Sequence, residues 1–215
     1  MFDFLKENND FIRRTPVDLG FKTIHIPVAD FQIDNPDKTI LITAGMDGDE
    51  YASIKAAYNL IHFYSKKKLA NRIIIIPIVN TPGFKQLVSF NPMDGKFPKH
   101  ICPGDQNGSP TERLIFWLWS RYIQYSDAWI DLHGGAITET LNPFVWTHET
   151  KSAQKNKLLF KIIRTLSAEI IVCEKESIFS KDKFLSQKGP LYFITESGQS
   201  GSYHIQDIQR ILLVS

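Results

Sequence analysis

Short β-rich runs recur along this chain at Lys38 to Thr43, Arg72 to Val79, Ala128 to Leu132, Glu169 to Cys173 and Leu191 to Thr195, with helical patterns set among them. Such alternation points to a layered α/β domain, because each strand run needs a partner strand and each helical stripe needs a sheet to cover. Between the first pair of runs, Ile54, Ala57, Tyr58 and Ile61 recur at helical spacing, and Ile115, Leu118, Trp119 and Tyr122 repeat the pattern before the third. Both stripes are expected to face the sheet. Further helices are predicted over about 153–166 and 205–213. With 43% hydrophobic and 12% aromatic residues, 215 residues can bury a substantial core, and the whole chain, 1–215, is expected to form a single α/β domain. No internal repeat, heptad series or low-complexity segment interrupts it.

The charge pattern narrows the partners. Lys and Arg number 25 against 23 acidic residues, and outside Lys66-Lys67-Lys68 the basic residues are dispersed, so no footprint for nucleic acid is present. The lysine triplet closes a predicted helix, where cations suit the negative end of the dipole. Met1 to Arg14 mixes charged and apolar residues, unlike a signal peptide, and no apolar run approaches the roughly 20 residues that span a bilayer. A cytoplasmic protein with no nucleic-acid or membrane partner is the expectation; the sequence is silent on oligomeric state. Cys102 and Cys173, without paired metal-binding spacing, read as reduced thiols.

The stretch from Thr81 to Pro110 is dense in Pro, Gly, Asn and Asp, and a loop of that length inside a compact domain is often functional. Its end has a structural account: Ser109 is a good N-cap, Pro110 suits the first helical position and Glu112 closes a capping box.

The segment Thr43-Ala-Gly-Met-Asp-Gly-Asp-Glu50 leaves a strand, turns through two glycines and enters a helix, which can bring Asp47 and Glu50 together above the strand end, where sites in open α/β sheets form. Asp47-x-x-Glu50 also fits an acidic capping box at the positive helix terminus, and taken alone that is the stronger reading. In Trp129-Ile-Asp-Leu-His-Gly-Gly135 a strand delivers His133 into a glycine turn, with Asp131 pointing to the same side and able to orient a ligating histidine. Leu191-Tyr-Phe-Ile-Thr-Glu-Ser-Gly198 is another apolar strand, ending in Glu196. A lone strand-end His or Glu is ordinarily structural or solvated; the combination is much less common. His148 and Glu139 are weaker candidates for the same cleft, whereas His25, His62 and His204 read as packing or capping residues.

Together these motifs resemble the succinylglutamate desuccinylase/aspartoacylase family of zinc carboxypeptidase-like hydrolases. The resemblance runs from about Lys38 to Gly201 and includes Gly-Met-Asp-Gly-Asp-Glu, Val-Asn-Thr-Pro-Gly-Phe, Asn-Pro-Met-Asp-Gly-Lys, Pro-Gly-Asp-Gln-Asn-Gly-Ser-Pro-Thr-Glu-Arg, Ile-Asp-Leu-His-Gly-Gly, Asn-Pro-Phe-Val and Thr-Glu-Ser-Gly, in order. It implies a three-layer α/β/α fold with a mixed, mostly parallel sheet. It also implies one zinc ion held by Asp47, Glu50 and His133, Glu196 as proton shuttle, and Asn80, Lys99 and His100 on the substrate side.

The departures matter too. The family's first metal motif reads His-x-x-Glu, and here Asp47 stands at the histidine position. Asp is a legitimate zinc ligand, but two carboxylates and a neutral imidazole cancel the divalent charge and make a weaker Lewis acid. Leu87 and Ser89 occupy the region where the family supplies arginines, and Lys99-His100 replaces an Asn-Arg pair, which removes the rigid bidentate fork. Typical members continue into a β-rich C-terminal domain, whereas this chain stops at Ser215. The leading expectation is a metal-dependent hydrolase cleaving the amide bond of a small N-acylated amino acid or similar compound. The alternatives are a non-catalytic relative that binds a ligand or partner, and a metallocarboxypeptidase.

Overall fold

The computed structural model describes residues 10–166, 168–175 and 180–212. Among the described residues, eight strands form one mixed sheet in the order β1-β2-β4-β3-β5-β8-β6-β7. Its centre is parallel: β3 (Thr39–Ala44) lies between β4 (Arg72–Ile76) and β5 (Ala128–His133), and β5 pairs in the same direction with β8 (Leu191–Glu196). Antiparallel pairings flank that centre, with β2 (Thr23–Phe31) on β4 and β6 (Phe144–His148) on β8. The edges are β1 (Ile12–Asp18), a hairpin partner of β2, and β7 (Ile171–Glu174), parallel to β6.

Side chains of the central strands alternate between apolar layers, as strands covered on both faces must. In β4, Ile74 and Ile76 join Leu41, Leu114, Ile115, Leu118 and Trp129 in a core that includes α3 (Pro110–Arg121) and Leu185 of α5 (Ser180–Lys188). Ile73 and Ile75 point the other way, onto Ala52, Ala56, Ala57 and Ile61 of α1 (Tyr51–Tyr64) and Ile208 and Ile211 of α6 (Ile205–Leu212). A third cluster packs Leu159 and Ile163 of α4 (Ala153–Thr165) on Val145, Leu191 and Phe193. The result is the three-layer α/β/α arrangement with a mixed sheet. The helical stripes do face the sheet as the periodicity predicts; within them Ala57, Ile61, Ile115 and Leu118 are all within 1% of full burial.

The proline- and glycine-rich stretch from Thr81 carries more local order than its composition suggests. It holds the short helix α2 (Thr81–Gln86) and a 3-10 turn, Pro98–His100. Asp94 accepts from the Thr111 amide at 2.8 Å and its hydroxyl at 2.6 Å, tying the loop to α3. Glu112 accepts from the Ser109 amide at 2.7 Å, as the capping reading of that pair requires. The lysine triplet begins just beyond Ser65, the C-cap of α1. The final helix is described as far as Leu212, and its expected last residue, Leu213, lies outside the described residues. Among the described residues no helix is long and apolar enough to cross a membrane.

Candidate metal centre and active-site cleft

The carboxyl ends of β3, β5 and β8 meet where the sheet order reverses: from β3 the chain runs through α1 to β4 on one side, and later to β5 on the other. Loops diverge there and leave a crevice, the usual place for a site in an open α/β sheet. β3 delivers Asp47 and Glu50, β5 delivers His133, and the parallel register puts Glu196 of β8 directly beside His133.

Asp47, Glu50 and His133 are all buried, and one potential ligand atom from each lies within 4.8 Å of the others. The capping alternative for Asp47 and Glu50 does not hold. Glu50 occupies the N-cap position of α1 but makes no side-chain cap bond. Its Oε2 instead accepts from the Gly134 amide at 3.0 Å and faces His133 Nδ1 at 3.0 Å. Asp47 Oδ2 accepts from the Lys99 ammonium, and Oδ1 is buried with no hydrogen-bond partner. An orphaned carboxylate oxygen in such a cluster is costly unless a cation satisfies it. Hard carboxylates with one imidazole and no thiolate suit zinc or a harder divalent ion, so the donor set fits a metal.

Two glycines let this loop close. A Cβ on Gly48 would stand 2.2 Å from the Phe84 amide nitrogen of α2, and one on Gly134 would stand 2.5 Å from the Ser197 carbonyl oxygen. Backbone approaches this close exclude any side chain and seat the β3 loop against α2 and the β5 loop against the β8 loop.

Behind the cluster runs a buried relay. Trp129 Nε1 donates to Thr43 Oγ1 at 2.7 Å, Thr43 Oγ1 donates to Asp131 Oδ1 at 2.6 Å, and Asp131 Oδ2 meets His133 Nε2 at 3.2 Å. Pairing of Thr43 with Asp131 across β3 and β5 sets this geometry. A carboxylate on the far nitrogen of a candidate ligating histidine fixes its ring and raises its basicity. Asp131 therefore bonds His133 directly.

Electrostatics follow from burial. Burial alone would push the His133 imidazole down, but Glu50 and Asp131 on its two nitrogens outweigh it and raise it well above the usual histidine value. Burial drives Glu50 up despite the attraction of His133. Glu196 is pushed up by burial to about 7, against the opposing pull of His133 and Lys99. His100 is lowered, first by burial and then by the Lys99 and Lys181 charges.

Glu196, His133, Lys99 and His100 share a cleft of about 240 Å³ with Phe144, Trp146 and Lys181. A larger opening of about 650 Å³, lined by Asn142, Glu169 and Arg210 among others, shares Phe144 and Glu196 with it. The smaller cleft is the one that contains a metal-donor residue, and it is the candidate for chemistry. Asn80 does not line it: Oδ1 accepts from the Gly83 amide at 3.0 Å and Nδ2 donates to the Ser89 carbonyl at 3.1 Å, so the side chain frames the α2 loop. Ser89 in turn donates to Asp49 at 2.8 Å. Glu139 accepts from the Ala136 amide at 3.2 Å, and His148 is buried with Nδ1 unpartnered, outside the cleft lining.

Lys181 is the residue the sequence reading missed. It is 5% exposed, and its ammonium donates to the Lys99 carbonyl and the Tyr192 hydroxyl, both at 2.8 Å. Its nitrogen also lies 4.8 Å from the Tyr192 ring centroid and 5.2 Å from that of Trp129. Burial pushes its pKa down, with Asp131 and Asp182 opposing. Nothing in Ser180-Lys-Asp-Lys marks a buried cation, since a run of charges at a helix start ordinarily reads as a solvated face.

The family model for the succinylglutamate desuccinylase/aspartoacylase catalytic domain matches residues 36–214. This chain belongs to that family. A curated relative, the N-alpha-acetyl-L-2,4-diaminobutyric acid deacetylase of Halomonas elongata, is 29% identical over 168 residues, covering 76% of this chain and 48% of the relative. The family member described here thus spans about half the length of that protein. Two solved structures share its fold. A succinylglutamate desuccinylase/aspartoacylase from Rhodobacter sphaeroides matches with a TM-score of 0.79 at 21% identity, over 95% of this chain and 64% of the other. The product-bound ectoine utilization protein EutE (DoeB) from Ruegeria pomeroyi matches with a TM-score of 0.79 at 22% identity, over 93% and 62%.

Proposed function

We propose that this chain carries the catalytic centre of a metal-dependent amide hydrolase acting on a small N-acylated amino acid or a related compound. The observation that carries the reading is the convergence of Asp47, Glu50 and His133 in one buried cluster whose histidine shares a cleft with Glu196, its register partner. Family membership supports the reaction class, and the name of the Halomonas relative, a deacetylase of an acetylated diamino acid, supports the substrate class.

Asp47, Glu50 and His133 would hold the ion, with Asp131 orienting His133 from behind. A divalent ion there, zinc in our reading, would supply Lewis acidity toward an amide carbonyl and lower the pKa of water. Glu196, held near 7 by its burial, is suited to take a proton from water at neutral pH and return it to the departing amine. Lys99 and Lys181 give the cleft a cationic side for a substrate carboxylate, His100 adds an imidazole whose lowered pKa keeps it neutral, and Phe144 and Trp146 form an apolar wall. Neither lysine offers the bidentate fork of an arginine, so the selectivity should be for charge more than for one rigid anion geometry.

Metal analysis of protein purified without added metal, followed by an amine-release screen of N-acetyl, N-succinyl and neutral N-acyl amino acids, tests this function. About one equivalent of metal and hydrolysis of at least one class is the expected result. A metal-loaded protein that hydrolyses none of them would leave the second reading, a non-catalytic ligand-binding relative. The pairing of Lys99 with Asp47, which neutralises a candidate ligand without any metal, is the observation that favours that reading.

A further inference from the structure

Asp47 has an unusual pair of surroundings. Its side chain is 1% exposed, one oxygen has no hydrogen-bond partner, and the other accepts from the Lys99 ammonium. A carboxylate this deep needs a counter-charge, because a buried ion without one is strongly disfavoured. The same carboxylate is one of the converging metal donors. An ammonium and a divalent ion would therefore satisfy the same need of the same group.

Lys99 is also held in place for this contact. It sits in the middle of the 3-10 turn Pro98–His100, and the buried Lys181 ammonium donates to its carbonyl oxygen at 2.8 Å. Its nitrogen passes 5.9 Å from the Phe97 ring centroid, and 28% of its side chain is exposed. The exposed portion matters, because it gives the chain somewhere to go: Lys99 lines the cleft with Glu196, so an ammonium released from Asp47 meets another anionic group.

We propose that Lys99 is a tethered counter-cation that competes with a divalent ion for the Asp47 charge, so that the metal-free centre is charge-balanced and metal loading loosens the Lys99 ammonium toward the cleft. The proposal rests on the metal-centre reading above. It makes Lys99 a positioning residue for the centre: a residue outside the donor set controls how tightly the donors bind, and the substrate side of the cleft gains a cation only when the centre is loaded.

Calorimetric Zn²⁺ titration of the unmodified chain, Lys99→Gln and Lys99→Arg tests the competition. Lys99→Gln should bind roughly tenfold tighter or more, equivalent to about 1.4 kcal/mol, and Lys99→Arg should stay close to the unmodified chain. A second measurement uses the unmodified protein alone and so survives a misfolding variant. Acetic anhydride labelling read by mass spectrometry should modify Lys99 several times faster with saturating Zn²⁺ than in EDTA. Lys96, which pairs with Glu112 at 3.1 Å, serves as the unchanged control. Equal affinity of the unmodified chain and Lys99→Gln overturns the competition, as does tighter binding without faster labelling of Lys99, which would reduce the effect to long-range charge. If neither protein binds Zn²⁺, the metal-centre reading itself falls; the competition fails on its own only when both bind.

Discussion

Replacing Glu196 by Gln should separate stability from activity in opposite directions. In the metal-free protein Glu196 is pushed up to about 7 by burial from an ordinary carboxyl value of 4.5. The unfolded chain releases this proton near 4.5, while the folded state keeps it until about 7, so the contribution to stability is fully present below 4.5 and is lost as pH rises through 7. Each pKa unit corresponds to about 1.4 kcal/mol. Above pH 7 the native state therefore bears a penalty of about 3 kcal/mol that an amide of the same shape does not. For a chain of this size that is a rise in Tm of roughly 6–12 °C. Urea unfolding in EDTA at pH 5 and pH 8 reads the effect: Glu196→Gln should be clearly more stable at pH 8 and nearly equal at pH 5. With metal present, bound metal should be almost unchanged, while turnover falls by roughly 10²–10⁴-fold because the amide cannot accept a proton. A variant that is less stable at pH 8, or equally displaced at both pH values, refutes the burial argument. Full turnover with metal bound removes Glu196 as the base.

Three further outcomes are expected. His133→Ala should weaken Zn²⁺ binding and Asp47→His should tighten it by restoring net positive charge to the centre; calorimetry showing no gain for Asp47→His means that the carboxylate does not limit affinity. Asp131→Asn keeps the shape but removes the charge behind His133, so zinc affinity should fall roughly 10–100-fold, and an unchanged Kd would show that the relay from Trp129 does not tune the ligand. Gly48→Ala places a methyl group where the Phe84 nitrogen lies 2.2 Å away. The resulting displacement of α2 should cost about 1–3 kcal/mol or more in chemical denaturation, and a neutral effect would contradict the packing of that loop.

The alternation of β-rich and helical segments determined the layered architecture, since a doubly covered sheet demands that pattern and little else satisfies it. It also located the strand ends carrying Asp47, His133 and Glu196, because a strand that stops in a glycine turn announces where a polar residue leaves the sheet. The segment around His25 is strand-like in sequence, and Ile24, Ile26 and Val28 are indeed buried at every second position of β2; its hairpin pairing with β1 is not legible there, because no local signal names the partner strand. Helix α5 went unread as well, because its charged composition gives no apolar stripe and its burial depends on the sheet it meets. What only the tertiary structure decided was which reading of an ambiguous motif applies. Asp47-x-x-Glu50 and Ser109-x-x-Glu112 both have the spacing of a capping box, yet the second caps its helix while the first turns into the buried cluster with His133. The difference lies in partners tens of residues distant, His133, Gly134 and Lys99, which offer Glu50 and Asp47 stronger bonds than the helix amides do. Local spacing can state which bonds a carboxylate is able to make, but the choice among them depends on long-range contacts and burial, which exist only once the strands have paired.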